Sequence, residues 1–242
     1  MPASAPARSF DLILFDLDGT LIETAPELCD ALNDTLFEAG LPQVELEQVR
    51  RWIGHGTRDL VTRALASARH SSAESVRTSP ELNELLARFD HHYPLRCGTT
   101  SHLYPHVRGV LLALRAQGVK LALLTNKDER FTRVVLDAHH LTPLFDRVVS
   151  GDSFPRKKPD PMGVLACLVQ FQVRPERALF VGDSAIDVAT ARAAGVTVWA
   201  LPYGYNQGLP IADAAPDRLI ADFSALLQDV QSQPVLTTVP GE

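Results

Sequence analysis

Five short apolar runs constrain the fold of this chain more than any other feature. They occupy residues 10–15, 119–126, 147–151, 177–183 and 196–201. Near-continuous apolar runs of this length are typical of strands that are buried on both faces of a sheet. Helical patterns lie between the later runs, at residues 107–118, 131–138, 164–168 and 185–195. This alternation predicts an α/β fold, in which helices cover both faces of a doubly wound, Rossmann-like parallel sheet.

One connection is much longer than the others, because residues 16–118 separate the first run from the second. A connection of this length in a compact domain indicates an insertion with secondary structure of its own. The patterns within it are helical, so we predict a small α-helical domain, the cap, at residues 22–98. The core domain then consists of residues 1–21 and 99–242.

The helical pattern of the cap has recognisable start and stop signals. A capping box from Thr24 to Glu27 predicts the beginning of its first helix, and Gly40 predicts the end. Further apolar stripes follow Thr57 and the Ser-Pro pair at Ser79. The insertion is therefore predicted to contain several helices and no long strand.

The composition excludes several classes of protein. Because 45% of the 242 residues are hydrophobic, the chain can bury a core, and a wholly disordered protein is excluded. A formal net charge of -6 without a basic stripe argues against nucleic acid as a partner. No stretch reaches the roughly 18 apolar residues of a membrane span, so no membrane partner is expected. Residues 1–8 and 231–242 are expected to be loose tails.

Cysteine usage indicates the compartment. Cys29, Cys97 and Cys167 are odd in number, widely spaced and without a CxxC pair. This pattern argues against a disulfide framework and against a zinc site. We therefore expect a protein of the reducing cytoplasm, as a monomer or a homodimer.

Polar residues with catalytic potential stand where the predicted strands end. Ligands of open α/β sheets bind beyond the carboxyl ends of the strands, so these residues are expected to share one edge. They are Asp16, Asp18, Thr125, Asn126, Asp183 and Asp187, with Lys157 and Lys158 after the third run. Each type alone has a plainer explanation, since a strand-ending Asp is more often a turn former than a nucleophile.

Together these residues predict metal-assisted phosphoryl transfer. Carboxylate oxygens are suitable ligands for Mg²⁺, which also bridges to phosphate. A carboxylate can attack phosphorus, and a second carboxyl two residues away lies on the same face and can act as acid and base. Thr125 and a lysine can bind the phosphoryl oxygens. Gly19 and Thr20 suit a tight turn whose amides approach the anion.

At these positions the chain resembles the haloacid dehalogenase superfamily. The four motifs of that superfamily read here as "DLDGT", "LLTN", "KKPDP" and "GDSAID". The resemblance implies a core of that type with Asp16 as nucleophile and Asp18 as acid and base. Because the dehalogenase branch lacks the second aspartate, Asp18 favours phosphoryl transfer over dehalogenation.

The resemblance also implies how metal and phosphate bind. The Mg²⁺ ligands would be the Asp16 carboxylate, the Asp18 backbone carbonyl and Asp183, with Asp187 supporting them. Phosphate would contact three side chains after the second and third strands: Thr125, Asn126 and Lys158. Lys157 is expected to be a solvated neighbour.

A narrower resemblance, to the phosphoglycolate phosphatase branch, rests on "RRWIGHGTRDLV" and "YGYNQGLPI". It implies a small phosphorylated acid as substrate, most simply 2-phosphoglycolate. The cap loop Gly54-His55-Gly56 differs from the branch's usual Gly-Asn-Gly, and we expect His55 or Arg58 to contact the substrate carboxylate. The alternatives are a phosphosugar phosphatase or mutase of the same superfamily, and a non-catalytic protein that binds a phosphorylated metabolite.

Overall fold

A computed structural model describes residues 9–232 of the chain. The strands are β1 Leu12–Phe15, β2 Ile22–Glu23, β3 His102–Leu103, β4 Lys120–Leu124, β5 Arg147–Val149, β6 Ala178–Gly182, β7 Thr197–Ala200 and β8 Arg218–Leu219. The helices are α1 Ala25–Glu38, α2 Leu46–Trp52, α3 Thr57–Ala68, α4 Ala73–Val76, α5 Pro80–Arg96, α6 Val107–Ala116, α7 Glu129–Ala138, α8 Met162–Phe171, α9 Ala185–Ala193 and α10 Phe223–Ser232.

Six strands form one parallel sheet in the order β5-β4-β1-β6-β7-β8. Strand β1 lies at its centre and pairs in parallel with both β4 and β6. The predicted α/β fold is confirmed, and each of the five apolar runs contains a strand of this sheet. The sixth strand, β8, was not predicted because two residues are too few to form a pattern.

The apolar runs are strands because both faces of the sheet are covered. In β1, Ile13 and Phe15 belong to the hydrophobic cluster on one face, while Leu12 and Leu14 belong to the cluster on the other. All four side chains are fully buried. Successive side chains of a strand point to opposite faces, so a strand between two helical layers must be apolar at every position.

The insertion is helical, as its stripes predict, and consists of α1 to α5. Strands β2 and β3 form an antiparallel ribbon where the chain leaves and re-enters the core. The predicted stripe of α1 (Leu28, Leu32 and Leu36) is buried. The exact division into two domains at residues 22 and 98 stays a prediction.

The predicted capping box at the start of α1 is wrong. The Thr24 side chain does not cap the helix, and its hydroxyl instead donates to Oδ1 of Asp18 over 2.6 Å. The Glu27 carboxylate is fully buried and accepts hydrogen bonds from the Tyr93 hydroxyl and the Gly98 amide. Both side chains therefore bond to residues outside the helix instead of capping it. Through the bond to Asp18, a sequence that resembles a capping box joins the cap to the core.

The predicted tails are only partly described. Gln231 and Ser232 belong to α10, so the prediction of a tail is wrong for these two residues. Residues 1–8 and 233–242 lie outside the described part of the chain. Within residues 9–232, no helix combines the length and the apolar character that crossing a membrane requires.

Candidate active site

Three carboxylates meet at the carboxyl ends of the two central strands. Asp16 follows β1, Asp183 follows β6, and Asp187 lies in the first turn of α9. One oxygen from each lies within 4.8 Å of the others, and all three residues are buried. The sequence predicted this convergence from the strand ends alone.

The turn after β1 is built around Asp183. Gly19 has φ of +88°, and a Cβ there would lie 2.5 Å from Oδ2 of Asp183. The Thr20 hydroxyl and the Tyr205 amide both donate to this carboxylate. Only glycine allows so close an approach in that backbone conformation. Gly19 and Thr20 therefore position Asp183, and their contact with phosphate stays a prediction.

Lys158 joins two of the carboxylates. Its Nζ lies 2.8 Å from Oδ1 of Asp16 and 2.7 Å from Oδ1 of Asp187. Burial alone would lower the pKa of Lys158, but the attraction of these two carboxylates outweighs burial and raises it. The ammonium is therefore charged and is directed at the oxygen edge of the site, where a phosphoryl group would carry negative charge.

One lysine does not neutralise the whole cluster. Burial, followed by repulsion from Asp187 and Asp18, raises the pKa of Asp16 to about 7 despite Lys158. Burial and repulsion from Asp187 and Asp16 raise the pKa of Asp183 well above its usual range. Crowded carboxylates that resist ionisation, with hard oxygen donors, fit a divalent cation such as Mg²⁺.

Asp18 is held by partners that Asp16 does not share. Its Oδ1 accepts from the Thr24 hydroxyl over 2.6 Å and from Nζ of Lys127 over 3.0 Å. Asp16 and Asp18 line one cavity of about 40 Å³ between the core and the cap. The arrangement places two carboxyl groups with different partners beside the same small space.

The predicted phosphate-binding residues after β4 also line this cavity. Thr125 is buried, and its hydroxyl accepts from the amide of Lys127. The Asn126 amide donates to the carbonyls of Gly54 and Lys158 over 2.8 and 3.0 Å. Asn126 thus joins the cap loop to the core. Its predicted contact with phosphate is not tested and stays a prediction.

The structure places His55 and Arg58 in a different cleft. The neighbouring cleft of about 410 Å³ is lined by both residues, with Asp59, Thr62, Arg77 and Lys157. Nε2 of His55 lies 3.3 Å from the side-chain nitrogen of Gln207, and Arg58 donates to the carbonyl of Arg77. The cavity beside Asp16 is lined instead by Gly54 and Gly56, which flank His55. A substrate contact of His55 or Arg58 remains a prediction.

The sequence analysis missed Lys127, which is buried beside Asp18. The only sequence signal was the lysine directly after the "LLTN" motif. Charged residues directly after a helix or strand are usually solvated, so this signal does not distinguish a buried ammonium from a surface one. Tyr93, whose ring centroid lies 5.1 Å from Nζ of Lys127, was also missed.

Comparison with known proteins decides the family. The sequence profile of the haloacid dehalogenase-like hydrolases matches residues 13–201. The chain belongs to this family. Haloacid dehalogenase-like hydrolases were the family expected from the four motifs, so that prediction is confirmed.

Similar proteins within the family carry the same name. A curated protein of Vibrio cholerae, named phosphoglycolate phosphatase, is 42% identical over 228 residues, which cover 92% of this chain and 98% of the relative. A protein of Pseudomonas putida KT2440 with the same name is 42% identical over 217 residues, or 89% of this chain and 78% of the relative. A crystal structure from Haemophilus somnus, described as a predicted phosphoglycolate phosphatase, aligns with a TM-score of 0.85 at 37% identity, covering 91% of this chain and 98% of that one.

The enzyme class follows from the family and from these relatives. The prediction that this haloacid dehalogenase-like hydrolase is a phosphoric monoester hydrolase is confirmed. Its acidic cluster of Asp16, Asp183 and Asp187 is the site in the described chain that fits a metal ion.

Proposed function

We propose that the chain hydrolyses 2-phosphoglycolate to glycolate and phosphate, through an aspartyl-phosphate on Asp16. The observation that carries the proposal is the pair of carboxyl groups, Asp16 and Asp18, on one small cavity. The relatives from Vibrio cholerae and Pseudomonas putida support the choice of substrate, since both are named for it.

In the first half-reaction Asp16 is the nucleophile. The Leu17 amide and Lys158 both bind its Oδ1, and no hydrogen bond to its Oδ2 occurs within residues 9–232. This leaves Oδ2 to attack phosphorus. The bond from phosphorus to the ester oxygen breaks, and Asp18 donates its proton to the departing alkoxide. Lys158 and Thr125 bind the phosphoryl oxygens as charge develops on them.

In the second half-reaction Asp18 is the base. Having lost its proton to glycolate, its carboxylate takes a proton from water, and the resulting hydroxide attacks phosphorus. The bond between phosphorus and Asp16 breaks, which releases phosphate and restores the carboxylate. Lys127 and Thr24, both bonded to Oδ1 of Asp18, hold the carboxyl group in one orientation through both steps.

Asp16, Asp183 and Asp187 would hold Mg²⁺, with the backbone carbonyl of Asp18 as a further ligand. When bound, the ion would neutralise negative charge on the phosphoryl oxygens and help to orient the phosphoryl group. The raised pKa values of Asp16 and Asp183 support this assignment, because a cation would offset both the burial and the mutual repulsion that raise them.

The lining of the cavity supports a small acid over a sugar. Leu28, Ile53 and Leu60 form an apolar wall, which offers no partners to the hydroxyls of a sugar. The phosphosugar phosphatase or mutase alternative is therefore the weaker one.

The test is a hydrolysis screen of the purified protein with Mg²⁺. The panel contains 2-phosphoglycolate, sugar phosphates and nucleoside monophosphates, and both phosphate release and isomer formation are measured. We expect the highest kcat/KM on 2-phosphoglycolate. A preference for a sugar phosphate, or isomer formation without phosphate release, would overturn the substrate assignment. Binding without turnover of any ester would support the non-catalytic alternative.

The proposal also includes a location in the reducing cytoplasm. Its support is that Cys29, Cys97 and Cys167 are free thiols buried in the protein. The choice between monomer and homodimer stays a prediction.

A further inference from the structure

Lys127 stands out among the groups that line the cavity. It carries the only cation among the described residues of the cavity wall. Its side chain is 5% exposed, so its charge has been withdrawn from water. Burying an ammonium is costly unless it is paired, and its partner here is Asp18, one of the two carboxyl groups on the cavity.

The partners of Lys127 leave part of its binding capacity free. Its Nζ donates one hydrogen bond within residues 9–232, to Asp18. An ammonium has three donors, and besides this bond Nζ faces the Tyr93 ring at 5.1 Å from its centroid, so donor capacity remains for a ligand in the cavity. Glu27 also attracts the charge, but its carboxylate accepts from Tyr93 and Gly98. Lys158 differs, because its Nζ is divided between two carboxylates on the phosphoryl side.

The position of Lys127 is on the leaving-group side. Its Nζ is 3.0 Å from Oδ1 of Asp18. A general acid lies about 2.6–3.2 Å from the atom that it protonates, so a leaving oxygen that takes its proton from Oδ1 lies within roughly 6 Å of Nζ, and one that takes it from Oδ2 lies about 2 Å further. In 2-phosphoglycolate one carbon separates this oxygen from the carboxylate, whose oxygens can therefore lie about 3 Å nearer to Nζ. An ammonium–carboxylate hydrogen bond of about 2.8 Å then spans the remaining distance.

We propose that Lys127 binds the carboxylate of the leaving group and thereby selects phosphorylated small acids over neutral phosphate esters. This inference rests on the proposed phosphatase function. A substrate carboxylate adds one negative charge beside Asp16 and Asp18, and Lys127 offsets that repulsion. A neutral ester of the same size gains nothing from the ammonium, so the ratio of the two activities measures the contact.

The test compares two substrates that differ in one group. These are 2-phosphoglycolate and 2-hydroxyethyl phosphate, assayed with Lys127→Met, Lys127→Arg and wild type. Since Lys127 also bonds Asp18, the methionine variant is expected to slow both reactions. The inference predicts a further loss of roughly 10- to 100-fold in kcat/KM for 2-phosphoglycolate alone, as for a hydrogen bond to a charged group. Lys127→Arg should recover much of the selectivity, and Lys120→Met, at an exposed lysine, should keep all of it.

A binding measurement separates recognition from chemistry. The phosphonate 3-phosphonopropionate keeps the carboxylate of 2-phosphoglycolate but cannot be hydrolysed, and propylphosphonate lacks the carboxylate. Lys127→Met should weaken inhibition by the first at least tenfold and by the second less than about threefold. Equal losses with both compounds would show that Lys127 acts only through Asp18 and would overturn the inference.

The outcomes also distinguish this inference from the function on which it rests. If wild type prefers 2-phosphoglycolate and Lys127→Met keeps that preference, the inference fails while the function stands. If His55→Asn, rather than Lys127→Met, removes the preference, the carboxylate is recognised from the neighbouring cleft. If wild type does not hydrolyse 2-phosphoglycolate, the proposed function itself fails.

Discussion

The side-chain amide of Asn126, at the end of β4, donates to the main-chain carbonyl of Gly54 in the cap loop over 2.8 Å. The same amide donates to the carbonyl of Lys158, so one side chain joins the cap loop and the lysine that binds Asp16. Gly56 of the cap loop also packs closely against Asn126, because a Cβ on Gly56 would lie 3.0 Å from the carbonyl oxygen of Asn126. The cap loop therefore depends on the core for its position.

Replacing Asn126 should loosen the cap loop. Asn126→Ala leaves two carbonyls without their donor, and each unsatisfied group costs about 1–3 kcal/mol. We expect the free energy of unfolding to fall by about 2 kcal/mol or more, and the amides of residues 53–57 to exchange faster with deuterium. Denaturant titration and hydrogen exchange measure these effects. Asn83→Ala, at an exposed position of α5, is the matched control. Unchanged exchange in the cap loop would contradict this account of its position.

Mg²⁺ should stabilise the folded protein in an assay that needs no turnover. A ligand that binds only the folded state adds about 2.7 kcal/mol at one hundred times its Kd, which for this size is roughly 5–10 °C in Tm. Asp183→Asn should lose most of that rise, because Asp183 lies in the acidic cluster. Asp213→Asn, at an exposed aspartate, should keep it. A full rise in the Asp183 variant would remove that residue from the metal site.

The titration of Glu27 should lower the free energy of unfolding as pH rises. Burial raises its pKa above the ordinary 4.5, against the attraction of Lys127. Below pH 4.5 the carboxyl is protonated in both states and its contribution is complete. Between 4.5 and the folded pKa only the unfolded state releases the proton, so stability is lost across that window.

The measurement for Glu27 is the difference between two stability curves. Denaturant midpoints of wild type and Glu27→Gln are compared from pH 4 to pH 8. The variant lacks the titration, so its stability relative to wild type should increase as pH rises through the window. Glu176→Gln, at an exposed glutamate, should run parallel to wild type. A parallel curve for Glu27→Gln would show that the folded state does not retain this proton.

The sequence predicted the fold and the meeting of the strand-end residues because both depend on local patterns. Apolar runs identify strands buried on both faces, and the residues after them meet because parallel strands end at one edge. Asp16, Asp183 and the neighbours Lys157 and Lys158 were found in this way, the resemblance chose Lys158 of the two lysines, and the structure brings Asp16, Asp183 and Lys158 together. Their catalytic roles stay predictions.

What the sequence could not predict depends on partners far along the chain. Lys127 and Asp18 are 109 residues apart, and only the packed cap determines that the lysine is buried. Thr24 and Glu27 have the spacing of a capping box. A cap contributes only about 1 kcal/mol, so the hydrogen bonds that these two side chains form with buried groups outside the helix are favoured over it. Residue spacing indicates which local hydrogen bonds are possible, and the tertiary structure determines which of them form.

The most direct test of the account is to trap the phosphorylated enzyme. Asp18→Asn is mixed with 2-phosphoglycolate and Mg²⁺, quenched with acid within one turnover, and digested for mass spectrometry. Because Asp18 is the acid of the first half-reaction and the base of the second, the variant should form the phosphoenzyme slowly and hydrolyse it slowly. The account predicts that the phosphoryl group is found on the peptide that contains Asp16, at the Asp16 carboxylate. Asp16→Asn should fold, form no phosphoenzyme and release no phosphate. A phosphoryl group on another residue, or near-normal turnover by Asp16→Asn, would contradict the central claim.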